Sequence, residues 1–461
     1  MSFTKSLVIA SPHSGSGKTT ISIGIMSAFR KRGLNIQPFK VGPDFIDPGY
    51  HAAVCGVPSI NLDGWMLDKS YNIKTFLNHS SNKDISIIEG VMGLYDGCDG
   101  KSEAGSTAQI AKWLNSPVVM VIDARSMARS AGALVYGFEG FDEKVTIAGV
   151  ILNQVGTSKH YNCLKDAIEE KCRAKVLGYL PKEASIKIPE RHLGLITAKE
   201  NILEKEFKKA ITNLIESYID LDQLLKMALP IDNKDFSFAQ DKNSSASSVR
   251  VGVAYDEAFC FYYQDNLDIL QQMGAEIIYF SPLRDSSLPE KLDAIYLGGG
   301  YPELFARELE ANQMLRKEIK GFAENGGIIY AECGGLMYLG KEIKDFDNNF
   351  IKMVEVFPFT TSMGKRLKEL GYYTVEAAKN TILSKKGEII KGHQFRYSTI
   401  DGMSSYLDKA YKIRRGTSNE VSNEGFSVKN VLASYVHLHF GSNMNIPRHF
   451  IDSCRIRKKQ K

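Results

Sequence analysis

The sequence predicts an α/β protein of two domains, each with a mainly parallel sheet flanked by helices. Short apolar, β-branched runs alternate with helix-length segments on both sides of a polar, serine-rich stretch at 241–248. Such alternation is typical of parallel βαβ units, and the serine-rich stretch is typical of a linker. The 461 residues suffice for two or three domains of roughly 150 residues each. We predict a first domain at 1–235, a linker at 236–249, a second domain at 250–455 and a basic tail at 456–461.

The apolar runs give the strand predictions in chain order. In the first domain the strands are 7–10, 36–41, 85–89, 118–123, 147–152 and 176–180, and a helix is predicted at 21–31. In the second domain they are 251–254, 276–280, 294–297 and 327–331, followed by antiparallel strands such as 431–440.

Composition excludes several classes of protein. The chain has 58 basic and 53 acidic residues, a net charge of +5 that is too small an excess to argue for nucleic acid. No apolar run approaches the roughly 18 residues of a membrane-spanning helix, and the N-terminal apolar stretch is too short for a signal peptide. The seven cysteines are scattered without a CxxC pair, as reduced thiols are. We therefore expect a cytoplasmic protein with no nucleic-acid or membrane partner.

The first chemical signal is the segment 11–20, SPHSGSGKTT, between a predicted strand and a predicted helix. A phosphate chain is bound where glycines let backbone N–H groups turn inward, a lysine supplies charge and a hydroxyl binds Mg²⁺. Gly15 and Gly17, Lys18 and Thr19 meet these needs. Pro12 stands where the P-loop pattern has its first glycine, so the loop departs from that pattern, and a glycine-rich turn without a ligand is the alternative.

Acidic residues follow the apolar strands of the same domain. Glu89 and Asp123 each end a predicted strand, and Asp44 and Asp47 lie on a Gly/Pro loop directly after another. The carboxyl ends of parallel strands meet at one edge of a sheet, where carboxylates can hold a metal beside a nucleotide. A single acid at a strand end is more often a cap or a solvated side chain, but together with the P-loop these acids predict Mg²⁺–nucleotide chemistry.

The second signal lies beyond the linker. Cys333 stands in a tight turn between a predicted strand and a helix start, the context of a nucleophile elbow. The glycine-rich loop 298–300 follows another strand and is suited to donating N–H groups to an oxyanion. His437 and His439 lie downstream at the alternation of a strand. A cysteine, an oxyanion loop and a distant histidine predict acyl transfer, the alternative being a buried inert cysteine.

Longer motifs resemble one family closely. The Cys333 elbow, 298–303 (GGGYPE) and 435–437 (YVH) are similar to the class I glutamine amidotransferase domains of cobyric and cobyrinic acid amide synthases. The first half resembles their dethiobiotin-synthetase-like partner domain. Stretches typical of the cobyrinic acid a,c-diamide synthase family are 40–48, 89–97, 189–195 and 258–263. The resemblance covers nearly the whole chain except the linker and the tail.

For the second domain the resemblance implies glutamine hydrolysis. Cys333 would attack the carboxamide of glutamine, with His437 as base. Backbone N–H groups would form the oxyanion hole near Gly299, Gly300 and Gly334. The position two beyond the base, often Glu in this class, is His439 here, so His439 is a candidate catalytic residue and the third member of the triad stays open.

For the first domain the resemblance implies ATP-dependent activation of a substrate carboxylate as an acyl phosphate, which offers ammonia a good leaving group. It assigns nucleotide binding to Gly15, Gly17, Lys18, Thr19, Thr20 and Asn153, and Mg²⁺ binding to Thr19, Asp44 and Glu89. Asp47 would orient substrate or ammonia. Arg191 and His192 would bind a polycarboxylate, because a guanidinium fork matches carboxylate geometry.

The resemblance implies amidation of the a- and c-acetate carboxylates of cobyrinic acid. Three alternatives to this interpretation stay open from the sequence. The first keeps the a,c-diamidation but changes the macrocycle to hydrogenobyrinic acid or Ni-sirohydrochlorin. The second is cobyric acid synthase, against which the stretch 40–48 argues. The third is a MinD-like positioning ATPase with a degenerate second domain, against which His13 and an intact Cys333 elbow argue. The sequence also leaves open whether the chain forms a homodimer.

Overall fold

A computed structural model describes residues 5–182, 190–191, 194–195, 205–231, 248–402, 408–416, 418 and 420–460. The chain divides into two compact units, Met1–Ala239 and Gln240–Lys461. The division falls inside the predicted linker at 236–249, of which 236–247 lie outside the described residues. In the described ranges no helix is both long and apolar enough to span a bilayer.

The first unit is a parallel sheet with helices on both faces. Its elements are β1 (Lys5–Ala10), α1 (Lys18–Lys31), β2 (Ile36–Val41), α2 (Ile46–Cys55), β3 (Ile60–Leu62), α3 (Lys69–Ser80), β4 (Ile85–Glu89), α4 (Thr107–Trp113), β5 (Val118–Asp123), α5 (Ser130–Phe141), β6 (Ile147–Val155), α6 (Ser158–Glu169), β7 (Lys175–Pro181), β8 (Glu190–Arg191), β9 (Gly194–Leu195), α7 (Lys205–Tyr218), α8 (Leu221–Met227) and β10 (Leu229–Pro230). The strand order is β3-β2-β4-β1-β5-β6-β7, all parallel, with β10 antiparallel to β1.

Alternation along β1 shows why this sheet is buried on both faces. Leu7 and Ile9 belong to one apolar cluster, and Val8 and Ala10 belong to the other. Successive side chains of a strand point to opposite faces, so a continuously apolar strand needs a helix layer on each side. The predicted α/β class is confirmed here, and the sheet order brings the carboxyl ends of β2, β4 and β1 side by side.

The second unit has a mixed sheet. Its elements are β11 (Val249–Ala254), α9 (Gln264–Gln272), β12 (Ala275–Phe280), β13 (Ala294–Leu297), α10 (Ala306–Ala311), α11 (Gln313–Glu324), β14 (Ile328–Glu332), α12 (Gly334–Leu339), β15 (Glu342–Lys344), β16 (Phe350–Lys352), β17 (Thr360–Met363), β18 (Glu369–Ala377), β19 (Ile389–Arg396), β20 (Ser398–Asp401), β21 (Lys409–Arg415), β22 (Val421–Val428), β23 (Val431–Ser434), β24 (His437–Leu438) and α13 (Asn445–Gln460). The main strand order is β12-β11-β13-β14-β23-β22-β21-β18-β19-β24.

The first five strands of that order are parallel and the remainder pair antiparallel. Strands β15, β16, β17 and β20 form a separate small sheet. The main apolar core combines side chains of the main sheet, such as Leu297 of β13 and Ile329 of β14, with side chains of α10, α11 and α12, such as Leu336.

Two predictions about this unit need correction. The run 431–440 is two strands rather than one, because β23 pairs with β14 and the chain then crosses to pair β24 with β19. The basic residues 456–460 continue α13 instead of forming a separate tail. Basic residues in the last turn of a helix are stabilised by its dipole.

Candidate functional site

The loop between β1 and α1 has the backbone of a phosphate-binding loop. Gly15 and Gly17 have φ values of 81° and 94°, in the left-handed region that favours glycine. A Cβ at position 17 would also overlap the side-chain amide of Asn153. Helix α1 begins directly after this loop at Lys18, so its first N–H groups lack partners within the helix and face the loop.

Two side chains at the start of α1 turn toward the sheet edge. The Lys18 ammonium donates to Ser11 Oγ at 2.8 Å and to the carbonyl oxygen of Met92 at 2.7 Å. Burial, and then the charge of Lys40, lower the pKa of Lys18 to about 8. The Thr19 hydroxyl donates to Glu89 Oε1 at 2.8 Å. Thr20, the next residue on α1, is half-buried.

Lys40 is a functional residue that the sequence reasoning missed. Its ammonium lies 2.6 Å from Asp47 Oδ2, 3.0 Å from Glu89 Oε1 and 3.8 Å from Asp44 Oδ2. Lys40 pairs with Glu89 in the register of β2 and β4, which places the cation beside the carboxylate. A lysine between the apolar residues Phe39 and Val41 of a predicted strand was the available signal, because a fully buried lysine is almost always paired. The structure thus brings three of the predicted acids to one buried cation.

The charges of this cluster push two carboxyl groups in opposite directions. Burial would raise the pKa of Glu89, but the Lys40 charge and hydrogen bonds from His51 and Thr19 hold it well below its ordinary value. Burial and the neighbouring Asp44 carboxylate raise the pKa of Asp47 well above its ordinary value, against the opposing charge of Lys40. Paired acids with separated pKa values are typical of catalytic sites.

His51 was also missed. Its Nε2 lies 2.7 Å from Glu89 Oε2 and its Nδ1 lies 3.1 Å from Ser59 Oγ. Both oxygens of Glu89 are therefore engaged, one by His51 and the other by Thr19 and Lys40. A single histidine on a helix gives no sequence signal for such a contact.

The remaining acids and Asn153 are placed differently. Asp44 uses Oδ1 to cap the start of α2, accepting from the N–H groups of Ile46 and Asp47. Asp123 pairs with the Arg125 guanidinium and is not part of the Lys40 cluster. Asn153 lies in β6, and its side-chain amide donates to the Ser16 carbonyl oxygen at 3.0 Å. The predicted nucleotide residue Asn153 therefore contacts the phosphate-binding loop itself.

In the second unit Cys333 forms the turn between β14 and α12. Its φ of 47° and ψ of −101° are strained for a residue with a side chain, as in a nucleophile elbow. The Cys333 N–H donates to the Ser434 carbonyl oxygen at 2.8 Å, which ties the turn to the end of β23. The side chain is 7% exposed. The elbow predicted from the sequence is thus present, with the thiol almost enclosed.

His437 lies against this elbow. Its Nδ1 is 3.4 Å from Glu332 Oε2, which leaves Nε2 as the ring nitrogen that can act as base. Burial would lower the pKa of His437, but the charge of Cys333 and a hydrogen bond with it, together with Glu332, raise it to about 9. The cysteine and the predicted base are therefore an interacting pair, a requirement for an activated thiol.

The glycine loop corrects one oxyanion prediction. The Gly299 N–H donates to the Phe261 carbonyl oxygen at 3.1 Å, so the prediction that Gly299 donates to the oxyanion is wrong. A Cβ at 299 would overlap Cε1 of His437, so this glycine makes room for the base. Gly300 and Gly334 approach each other closely, because a Cβ at 334 would lie 3.0 Å from the Gly300 nitrogen.

His439 does not share the surroundings of His437. It precedes a short 3₁₀ turn, where its Nδ1 accepts from the Gly441 N–H at 3.2 Å. Its ring lies 4.6 Å from that of Tyr263, and burial lowers its pKa to about 4, against the charge of Asp265. The alternation that predicted both histidines on one face fails because β24 ends at Leu438.

Two predicted substrate residues cannot be placed. Arg191 lies in β8, which pairs with β9, and its side chain is not described. His192 lies outside the described residues.

Two family models match the chain. Residues 7–196 match the "CobQ/CobB/MinD/ParA nucleotide binding domain", and residues 250–445 match the "CobB/CobQ-like glutamine amidotransferase domain". Each match contains one of the two constellations described above. The chain is therefore an ATP-dependent ligase that uses glutamine as its amide donor, with ATP as co-substrate.

Relatives match over nearly the full length. The cobyrinate a,c-diamide synthase of Caldanaerobacter subterraneus subsp. tengcongensis is 46% identical over 97% of this chain and 98% of its own. Those of Listeria innocua and Salmonella typhimurium are 45% and 40% identical, over 95% and 97% of this chain and 96% and 98% of their own. The chain belongs to the cobyrinate a,c-diamide synthase family.

Proposed function

We propose that this enzyme converts cobyrinate to its a,c-diamide, using glutamine as the nitrogen source and ATP to activate each carboxylate. The observation that carries the proposal is that one chain holds both a Cys333–His437 pair on a nucleophile elbow and a phosphate-binding loop facing clustered carboxylates. Its relatives bear the name of that reaction. Since ATP and glutamine are cytoplasmic metabolites, we place the reaction in the cytoplasm.

At the second unit, Cys333 sulfur attacks the side-chain amide carbon of glutamine. The Gly334 N–H stands at the first position of α12, where helix geometry leaves it without an intrahelical acceptor; with the nearby Gly300 N–H it stabilises the oxyanion. His437 transfers the thiol proton to the departing ammonia. Water then hydrolyses the thioester to glutamate and frees the sulfur.

At the first unit, a substrate carboxylate oxygen attacks the γ-phosphorus of ATP and ADP leaves. Ammonia attacks the acyl phosphate carbon, and inorganic phosphate leaves as the amide forms. The loop at Gly15 and Gly17 holds the phosphates through backbone N–H groups. Lys18 supplies positive charge to them, and Asn153 binds the base of the nucleotide. Asp47 orients the ammonia or the accepting carboxylate.

The donor set beside the loop fits Mg²⁺, which prefers hard oxygen ligands. Thr19 Oγ1 and Glu89 Oε1 lie 2.8 Å apart, and Asp47 Oδ2 lies 3.3 Å from the same hydroxyl. We propose that Thr19, Glu89 and Asp44 hold the ion, Asp44 through Oδ2, the oxygen that does not cap α2. Magnesium would neutralise phosphate charge there.

A cavity beside the P-loop supports a bulky substrate. Its volume is 1080 Å³, and its lining includes Pro12 of the loop, Met92, Tyr95 and Phe138. The rings of Tyr95 and Phe138 stack at 5.6 Å and offer flat apolar faces to a macrocycle. Arg191 and His192 remain our proposed partners for its outer carboxylates, by charge.

Mass spectrometry of cobyrinate incubated with the enzyme, ATP, Mg²⁺ and glutamine tests the proposal. Two exchanges of hydroxyl for amino, followed by a stop, are the expected result. Hydrogenobyrinate and Ni-sirohydrochlorin are run in parallel. Exchange on one of these but not on cobyrinate would replace the substrate and keep the mechanism, and exchange on none would refute the proposed function.

The variant Cys333→Ala separates the two sites. Glutamine-dependent amidation should disappear, because the nucleophile is gone, while ammonium chloride should support amidation at close to the wild-type rate. Cys163→Ala is the matched control, since that thiol is exposed and lies in the other unit. Failure of ammonia to rescue Cys333→Ala would contradict the division of labour between the sites.

A further inference from the structure

Glu332, the residue directly before the nucleophile Cys333, has the contacts that the third residue of a catalytic triad requires. We infer that Glu332 is the positioning residue of His437, holding Nδ1 so that Nε2 faces the thiol, a role that the sequence left open with His439 as the candidate. The inference rests on the proposed glutaminase reaction and adds a residue to it.

The surroundings of Glu332 support this role. The carboxyl group is 1% exposed. Its Oε1 accepts from the Leu438 N–H at 3.1 Å and from the Tyr330 hydroxyl, and its Oε2 accepts from the Tyr296 hydroxyl at 3.2 Å. Oε2 is also the oxygen nearest to His437 Nδ1. Both carboxylate oxygens are therefore fixed, which fixes the direction in which the ring is held.

Sheet register explains how these groups meet. Tyr330 and Glu332 are two residues apart on β14 and share a face. Tyr296 of β13 pairs with Tyr330, so both hydroxyls reach the carboxylate from neighbouring strands. The turn after Glu332 then carries Cys333 to the strand end. Glu332 ends β14 and Cys333 forms the turn that follows, so the positioning residue and the nucleophile are consecutive.

Charge also favours this pairing. A buried carboxylate is costly unless a cation or several donors compensate it. Within the described part of the chain, His437 is the one basic side chain with a nitrogen within 4.0 Å of Glu332. A protonated His437 therefore lies between the carboxylate of Glu332 and the sulfur of Cys333, the arrangement in which a carboxylate stabilises the imidazolium formed in catalysis.

The other titratable groups around His437 do not provide that charge. The His393 ring stacks on His437 at 5.0 Å, and its Nδ1 is 2.7 Å from the Tyr263 hydroxyl. Burial and the charges of His437 and His439 hold the pKa of His393 well below its ordinary value. His439 is neutral near pH 7 for the same reason of burial. A neutral imidazole cannot replace a carboxylate beside an imidazolium.

Glu332→Gln tests the inference, because it keeps the shape and removes the charge. We expect glutaminase kcat to fall roughly 10²- to 10⁴-fold, as loss of the orienting carboxylate does in comparable triads, with KM within about threefold of wild type. The alkaline limb of the pH profile should move to lower pH, because His437 loses the neighbour that favours its protonated form. Ammonia-dependent amidation should keep its wild-type rate.

Glu424→Gln is the matched control. Glu424 is a partly buried carboxylate on β22 that accepts from the Ser434 hydroxyl and from the Tyr435 N–H at 2.7 Å, two groups other than His437. Its variant should keep the wild-type pH profile. If Glu424→Gln reproduced the loss, the effect would come from removing any buried carboxylate and the inference would be wrong.

Other results of these experiments would overturn the inference about Glu332. Glu332→Gln with kcat within about threefold of wild type and an unmoved alkaline limb would overturn the inference, as would His439→Gln moving that limb in its place. If Glu332→Gln does not fold, Glu332→Asp replaces it as the test. We expect a reduced kcat and an alkaline limb at the wild-type pH, since the charge stays. An unchanged kcat would refute the positioning role of Glu332. A wild-type enzyme that makes amide from ammonia but does not hydrolyse glutamine would instead refute the proposed glutaminase, and the inference with it.

Discussion

Replacing Lys40 with Met should destabilise the first unit strongly. The ammonium is 3% exposed and lies 2.6 Å from Asp47 Oδ2 and 3.0 Å from Glu89 Oε1. Without it, two buried carboxyl groups face each other with no cation between them, and the methionine cannot donate to either. Removing one partner of a buried ion pair costs about 3–5 kcal/mol. We expect a loss of unfolding free energy in that range.

Lys112 provides the matched comparison. Its ammonium also lies 2.6 Å from a carboxylate oxygen, Asp142 Oδ2, but the two side chains are 18% and 25% exposed. Solvent screens such a pair, which is worth about 0–1 kcal/mol. Because the distances are equal and the burial is not, we expect Lys40→Met to lose several times more unfolding free energy than Lys112→Met. The difference between the two losses of unfolding free energy should become smaller as pH falls. Loss of Lys40 raises the pKa of Asp47 and of Glu89, so both carboxyl groups become protonated at higher pH, and their protonation removes the repulsion that destabilises the folded Lys40→Met variant.

The assay is urea unfolding followed by tryptophan fluorescence. The chain has two tryptophans, Trp65 and Trp113, and both lie in the first unit, so the signal reports that unit alone. Unfolding free energies come from linear extrapolation at fixed slope. A loss for Lys40→Met no larger than that for Lys112→Met would refute the claim that the buried cation holds these acids together.

Three further predictions concern activity. Gly299→Ala should reduce glutaminase at least about tenfold, because the added Cβ displaces His437 and small misplacements are costly; unchanged glutamine hydrolysis would contradict the close packing. Lys18→Ala should stop amidation from glutamine and from ammonia alike, while Cys333 still reacts with a glutamine-analogue electrophile. Normal product formation by this variant would contradict the assignment of Lys18 to an ATP-binding P-loop. Glutaminase kcat/KM should fall as pH rises through about 9, because the raised pKa of His437 keeps it protonated below that value; a limb near the ordinary histidine value of about 6.5 would be inconsistent with the ion pair.

Local patterns predicted most of the fold. Strands β2, β4, β5 and β13 begin and end where the apolar runs do, because buried parallel strands are continuous apolar segments bounded by turn residues. The three-residue β3 was missed, since so short a strand has no periodicity. The break after Ser434 was missed because the run 431–440 stays apolar through the crossing.

The site was predictable where chemistry depends on neighbours in sequence. The loop of Gly15 to Thr19 and the Cys333 elbow are local motifs, and both have the expected backbone. Lys40, His51 and Glu332 act across strands, so their roles depend on register and burial, which a pattern of residue types does not encode. Gly299 was assigned a donor role from its place in a glycine-rich loop and from the resemblance, whereas the pairing with Phe261 uses its N–H.

Each constellation is complete within its own unit. The groups that meet at the phosphate-binding loop come from residues between Ser11 and Asn153, and those that meet at the elbow come from residues between Phe261 and His439. Gene fission between the codons for residues 231 and 248 would therefore leave both sets of reactive groups intact on separate polypeptides.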